Sequence, residues 1–536
     1  MSLHARSLAK ISVFSLAALA LAGCSPAAEP NLEGPIIIGQ TTLPRAIDPV
    51  STYSSSDFEI MYQIYPTVLN TNPSEAELRG DIASSFEFIS PREYQVTIKD
   101  GLKFANGNTL NASDVVFSMN RLLETSEEGG PQALLGSVVG ARQIDPLTLI
   151  YDLAVDYDQT FPYILSSVPG LVLDEEVFPQ QGALSIDEIV ETQPFAGPYV
   201  IDTWQADELL SLKPNPEYQG LWGTPKNSGV IIRYFNDSKN MLLSAERGEI
   251  DIAVLFRSTS AVNAQAIAER GGYQLVSGQG AEPGFLSFNL ATQPYGFNSD
   301  QPDLKKARAI RQGVATVLDR AELSEAAYSG TYRPAFSTVP SEMTGSFPAF
   351  QNLYENLTVD DVRASFQELA VEIPVSLSFT FTPERYGEDG GKLPFLIKDQ
   401  LERTGLFSID LEPLDWSTLR EVRKTDDYQM VLLFWGPDFG EADNYLTPLY
   451  SKDGWLFNHY ENPRLSELLL EQLSEENVES RLEQLAAIQQ IAAEDAPLIP
   501  LLEGGRSALV KDGISGVSET FDSSFKFRYA NIARTQ

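Results

Sequence analysis

Apolar residues run without a break from Met430 to Trp435, and the run stops at Gly436-Pro437. A short apolar run bounded by a turn pair predicts a strand buried on both faces. A different rhythm appears earlier. Ser85 to Ile89 and Tyr94-Val96-Ile98 alternate at period two around Ser90-Pro91-Arg92, which predicts an antiparallel pair. Ile36-Ile37-Ile38-Gly39 predicts the short strand that opens the body, and Asp57 to Leu69 reads as a helix. Asn111 to Leu123 reads as another, with Asn111 as N-cap and Asp114 three residues on completing a capping box. Leu304, Ala307, Ile310, Val314, Val317 and Leu318 fall on one face of a helix. Val375 to Phe381, Lys392 to Thr404 and Phe407 to Leu411 give strand, helix and strand, a βαβ-like unit leading into the Met430–Trp435 strand. Leu482, Leu485, Ile488 and Ala492 mark a late amphipathic helix, and Leu498-Ile499-Pro500-Leu501-Leu502 follows as a strand.

The N-terminus has its own pattern. His4, Arg6 and Lys10 precede an apolar run from Ile11 to Ala22, too short to span a bilayer stably but fitting a secretory signal, assigned to residues 1–23. The run ends in Leu21-Ala22-Gly23-Cys24, which resembles the bacterial lipobox. That resemblance implies that Cys24 is lipidated and becomes the first residue of the mature protein. Cys24 is the only cysteine, so no intramolecular disulfide can form. Ser25 to Gly34 is small, polar and proline-containing, so residues 24–34 are expected to be a flexible tether. No later segment has the continuous apolar length of a membrane helix. The expected address is an exported body on the extracytoplasmic side, held to the cell membrane by lipid alone.

Bulk composition narrows the function. A chain of 536 residues is too long for one core, so two or three domains are expected. The net charge of −36 disfavours nucleic acid, whose phosphates are met by Lys and Arg, and would repel an anionic membrane surface. It tolerates cationic or zwitterionic ligands. His459 is the one histidine after the signal, so histidine-based catalysis or a zinc site would have to be built on it; it lies among aromatics in Phe457-Asn458-His459-Tyr460 and reads as a packed or surface residue. No cofactor, metal or catalytic residue is assigned.

The strand end carries the most pointed chemistry. Trp435-Gly436-Pro437-Asp438-Phe439 delivers an acid ringed by aromatics to the end of a buried strand. Ligand sites are concave, mostly apolar and equipped with a few placed polar groups. The functional reading is that Asp438 holds a cationic group of a small ligand, the α-ammonium of a peptide. A solvated turn acid is the plainer alternative for the same residues.

Further fragments carry a family resemblance. Lys99-Asp100-Gly101-Leu102-Lys103-Phe104-Ala105-Asn106-Gly107-Asn108-Thr109-Leu110-Asn111-Ala112-Ser113-Asp114-Val115-Val116-Phe117-Ser118 closely resembles the signature of the family 5 extracellular solute-binding proteins, with Asn106 and Asn111 where the usual pattern has Asp and Thr. Phe195-Ala196-Gly197-Pro198-Tyr199-Val200, Lys213-Pro214-Asn215-Pro216-Glu217-Tyr218, Gly248-Glu249-Ile250-Asp251, Phe285 to Leu290, Ala309 to Val314 with Asp319-Arg320, and Leu498 to Leu502 resemble further family segments in the same order.

The resemblance implies an α/β fold of the type II periplasmic-binding-protein class (cluster C): two lobes joined by two crossing strands, with an extra subdomain in the first lobe. The expected division is 35–66 and 190–284 for the first lobe, 67–189 for its extra subdomain, 285–502 for the second lobe, and 503–536 returning to the first. It further implies capture without catalysis, by a monomer working with an ABC permease and ATPase complex. In the peptide-binding branch the stretch matching Trp435-Gly436-Pro437-Asp438 carries the acid that pairs with the ligand's α-ammonium; Phe439 is of the expected type, and Ala442 departs from the usual proline. Tyr53, Ser54 and Ser55 fall in a region that faces the cleft in relatives. Arg333 and Arg385 are candidates by residue type for a ligand carboxylate. Competing readings are the same fold serving an oligosaccharide or a metal chelate, a lipoprotein serving a sensor rather than a permease, and an exported hydrolase using Asp438 with Glu441 or Asp443.

Overall fold

The computed structural model describes residues 34–535 except 73–74, 126–130, 256–260, 279–280, 384 and 522–525. The expected signal peptide, Cys24 and the expected tether as far as residue 33 therefore lie outside the described residues. Among those described, no helix is long and apolar enough to cross a membrane.

Two large sheets organise the chain. The first has seven strands in the order Tyr273–Ser277, Ser507–Lys511, Ile252–Leu255, Ile36–Gln40, Val230–Tyr234, Leu209–Pro214 and Tyr199–Gln205. Ile36–Gln40 runs parallel to both its neighbours, and every other pairing in that sheet is antiparallel. The second has six strands in the order Arg333–Pro334, Leu498–Gly504, Glu282–Phe288, Met430–Phe434, Val375–Phe381 and Phe407–Pro413. Val375–Phe381 pairs in parallel with Phe407–Pro413 across the helix Leu393–Glu402, so the βαβ unit forms as its pattern predicts. A separate four-stranded antiparallel sheet, Ala83–Ser90, Glu93–Ile98, Thr148–Leu153 and Val138–Gln143, is the extra subdomain of the first lobe.

The chain passes between the two large sheets twice. It leaves the first through Tyr273–Ser277 into Glu282–Phe288, and returns through Leu498–Gly504 into Ser507–Lys511. The two crossing strands pair with each other, Glu282 opposite Gly504 and Gly284 opposite Leu502, with a register shift between Gly284 and Phe285. Two adjacent connections of this kind form a hinge between lobes.

The Met430–Phe434 strand shows why its sequence is continuously apolar. It lies between Glu282–Phe288 and Val375–Phe381. Met430, Leu432 and Phe434 enter one core with Leu286, Phe288 and Phe379, while Val431 and Leu433 enter the opposite core with Phe285, Tyr445 and Leu498. Both faces are covered, so alternation disappears. Gly284 is required here, because a methyl group on it would fall 2.6 Å from the Phe434 ring.

Local signals hold with one boundary shift. The Asn111 side chain accepts from the Ser113 amide and the Asp114 carboxylate from the Asn111 amide, each at 2.8 Å, capping the helix Ala112–Glu124. The helix expected over Asp57 to Leu69 instead spans Ser55–Ile64, and Leu69 opens a strand, Leu69–Asn72. Tyr65 is extended because it precedes Pro66, whose ring disfavours helical backbone in the residue before it.

Candidate functional site

A cavity of about 1030 Å³ lies between the lobes, and Asp438 lines it. Three bonds fix the loop that carries it. The Trp435 amide donates to the Pro283 carbonyl at 3.0 Å, tying the strand end to a crossing strand. The Asp438 amide donates to Asn444 Oδ1 at 2.9 Å. Glu441 caps the short 3-10 turn Ala442–Tyr445 by accepting from the Asp443 amide at 2.6 Å.

Asp438 is half-buried, and the hydroxyl of Tyr53 donates to its carboxylate from the other lobe. Loss of hydration pushes the Asp438 carboxyl up to about 6, against the hydrogen bonds from Tyr53 and Asn444, which favour the ionised form. The same contact, after burial, raises the Tyr53 hydroxyl, which stays protonated as a donor. Among the described residues no basic side chain pairs with Asp438. Asp438 thus has two neutral partners and, among the described residues, no paired cation.

Tyr53 is delivered by a braced loop. Asp48 caps the turn Pro49–Ser51 and forms a two-pronged, fully buried ion pair with Arg121 of the subdomain at 2.7 and 2.8 Å. The Leu184 amide donates to the same carboxylate at 2.9 Å. Beyond Tyr53 the helix Ser55–Ile64 begins, and the Tyr53 ring meets Phe58 edge-on at 5.6 Å.

Of the residues singled out in the sequence, Trp435, Gly436, Pro437, Asp438, Phe439, Tyr53 and Ser55 all line the cavity. Ser54 does not: it takes the N-cap position of the helix, and its hydroxyl faces that of Ser56 at 2.9 Å. Of the two arginines, Arg333 is engaged by Glu342 at 2.5 Å and Glu503 at 3.4 Å, whereas Arg385 lines the cavity with its guanidinium 3.6 Å from the Trp416 ring centre. Sequence reasoning missed Asn444, Tyr62, Trp416, Arg420 and Trp455, all of which also line it. Asn444 had a signal, an amide six residues after the acid in a turn-rich loop.

The acids proposed as hydrolytic partners of Asp438 are engaged elsewhere. Glu441 pairs with Arg481 at 2.8 Å, and Asp443 accepts from Thr447 at 2.6 Å and Gln472 at 2.7 Å. Burial and the neighbouring Glu441 push the Asp443 carboxyl up. His459 bonds Asp426 at 2.6 Å on the surface. Among the described residues no group of His, Cys, Asp and Glu is arranged to hold a metal ion.

Comparison with known proteins places this architecture. The profile described as "Bacterial extracellular solute-binding proteins, family 5 Middle" matches residues 77–457. This chain belongs to that family. The family 5 protein is similar to the "Probable D,D-dipeptide-binding periplasmic protein DdpA" of Escherichia coli, 24% identical over 518 residues, covering 94% of this chain and 95% of the relative. It is similar to the "Periplasmic murein peptide-binding protein MppA" of the same organism, 21% identical over 498 residues and 88% of each chain. Its fold matches the ABC transporter substrate-binding protein CtaP of Listeria monocytogenes with a TM-score of 0.79 at 19% identity, covering 94% of this chain and 99% of the other.

Proposed function

We propose that this protein captures peptides in the interlobe cleft and delivers them to an ABC permease, with Cys24 as its lipid anchor and the body on the extracytoplasmic side. The observation that carries the reading is Asp438: a half-buried carboxylate in a cavity of about 1030 Å³, bonded by the Tyr53 hydroxyl, its backbone amide held by Asn444, and with no paired cation among the described residues. A buried charge is normally paired, so such a site is completed by a cationic ligand group. The α-ammonium of a peptide supplies it. Arg385 offers the complementary charge for the terminal carboxylate, its planar fork suited to a carboxylate and its face stacked on Trp416. The names of DdpA and MppA point to peptide ligands in this family.

Capture is the whole of the chemistry in this reading. Among the described residues the other acids of the cavity have partners of their own: Asp443 holds Thr447 and Gln472, Glu59 pairs with Arg506, and Asp158 accepts from Ser137 and Thr160. Closure works through the same residues: Tyr53 reaches Asp438 across the cleft, and the Gln159 amide donates to the Leu473 carbonyl at 2.8 Å from subdomain to second lobe. A ligand ammonium between the lobes replaces part of that contact with a stronger, charged one.

The test compares short peptides with their N-acetylated forms by calorimetry. The free-amine forms should bind and the acetylated forms should lose about a hundredfold or more in affinity. Equal binding of both would remove the ammonium from recognition.

A further inference from the structure

The cleft also contains a concentration of positive charge that is not paired with carboxylates among the described residues. In a chain of net charge −36, Arg385, Arg420 and Arg423 gather on one stretch of the second-lobe wall, and among the described residues none pairs with a carboxylate. Arg420 and Arg423 are three apart on the helix Trp416–Lys424, hence neighbours on its surface. Arg423 is 3% exposed; its guanidinium lies 4.0 Å from the centre of the cavity-lining Trp455 ring. One nitrogen donates to the Trp455 carbonyl at 3.3 Å, and Nε and Nη1 have no partner. Arg385 stacks on Trp416 and its buried Nε is likewise unpartnered. Burial lowers the affinity of Arg423 for its proton; Tyr428 and Tyr386 oppose this, and the nearby Arg385 and Arg420 add to it.

Among the described residues, the acids nearest in sequence to Arg420 and Arg423 have partners of their own. Asp415 caps the same helix through the Ser417 and Thr418 amides, Glu421 holds Lys424 at 3.2 Å, and Asp426 holds His459 and Asn289. Beside the arginines a side pocket of about 460 Å³ shares Arg385 and Trp416 with the main cavity. Thr382, 6% exposed, lines this pocket with a hydroxyl that has no partner. Asp415 lines the same pocket with its carboxylate engaged by the amides and hydroxyls of Ser417 and Thr418, so the pocket offers space, an unpartnered hydroxyl and an unpartnered guanidinium nitrogen beside a capped carboxylate.

We infer that the preferred ligand carries at least two anionic groups, one beyond the terminal carboxylate of a simple peptide. Arg385, at the mouth of the side pocket, and Arg420, on the wall of the main cavity, receive them, and Arg423 reinforces the site from behind Trp455. One guanidinium would serve one carboxylate; three brought together and, among the described residues, not ion-paired repel one another until anions arrive. The inference rests on the peptide reading for the first of these groups, and its test separates the two.

Calorimetry on the purified protein would compare Ala-Ala-Glu, Ala-Ala-Gln and Ala-Ala-phosphoserine. The glutamate peptide should bind about tenfold or more tighter than its glutamine counterpart. The ratio should collapse towards one in Arg420→Gln and be largely restored in Arg420→Lys. Arg420 is exposed, so both variants should fold, which a thermal melt would verify. The phosphoserine peptide shows whether phosphate serves as the second anion as well as carboxylate does. A glutamate-to-glutamine ratio near one in the wild type would overturn the inference while leaving the peptide reading intact. If no peptide binds, the peptide reading fails, and citrate and inorganic phosphate then test the arginines alone by thermal shift. Stabilisation that Arg420→Gln removes would keep the anion site, and its absence would overturn that too.

Discussion

Replacing Asp438 by Asn removes one charge while keeping the shape of the side chain and an oxygen for the Tyr53 hydroxyl. In the free protein the carboxyl titrates at about 6 against an ordinary 3.8, because burial disfavours the ion. A raised carboxyl means that the folded state holds its proton more tightly than the unfolded chain. The associated stability is present at low pH and lost as pH rises from about 4 to about 6, and at neutral pH the bare charge is a cost. Asp438→Asn should therefore leave the unliganded protein unchanged or up to about 2 kcal/mol more stable at pH 7.5. Binding moves the other way. Removing one partner of a desolvated ion pair costs about 2–5 kcal/mol, or roughly thirty-fold to several thousand-fold in Kd. Because the wild-type carboxylate must be ionised to pair with an ammonium, peptide affinity should fall about tenfold between pH 7 and pH 5, and the variant should lose that dependence. Titration calorimetry at several pH values with melts of the free protein measures all three quantities. A variant Kd within about threefold of wild type, or an unchanged pH slope, would mean that Asp438 does not pair with the ligand's ammonium.

Other predictions concern the frame around the site. Asp48→Ala leaves the fully buried Arg121 without its counter-ion and should destabilise the protein by about 3–5 kcal/mol in urea unfolding; a loss below about 1 kcal/mol would mean the Tyr53 loop is braced by something else. Arg481→Gln leaves Glu441 buried without its ion-pair partner beside Asp443, so the loss should be about 2–4 kcal/mol at pH 8 and shrink towards pH 5 as the Asp443 carboxyl takes up a proton; a deficit that does not depend on pH would contradict this. Gly284→Ala forces a methyl group into the Phe434 ring and should cost about 1–3 kcal/mol and weaken ligand binding, as read by denaturant titration and calorimetry; wild-type values in both would show that the ring can move aside.

How far the sequence revealed the site depended on where each signal came from. Asp438 was legible because a two-sided strand cannot continue through Gly436-Pro437, and the first polar side chain after it must emerge at the sheet's end. The Asn111–Asp114 cap and the parallel unit at Val375–Phe381 were legible for the same reason: local pattern and tertiary role coincide. Arg333 and Arg385 could not be told apart by type. One meets Glu342 and Glu503, the other the open cleft, and only the packing of distant strands decides which. Ser54 and Ser55 are adjacent in sequence, yet the start of a helix turns one away from the cavity. Arg420 and Trp416 lie on the helix Trp416–Lys424, whose pattern marks Leu419 as its buried face but does not say what faces its other side. Docking against the cleft decides that, and helical periodicity carries no record of it.

The most direct test of the account is native mass spectrometry of the intact protein, purified gently in mild detergent so that a trapped ligand stays in place. The account predicts a set of added masses that fragment as short peptides with free amino termini, and Asp438→Asn should emerge from the same purification without them. A single non-peptide mass retained equally by wild type and Asp438→Asn would contradict it.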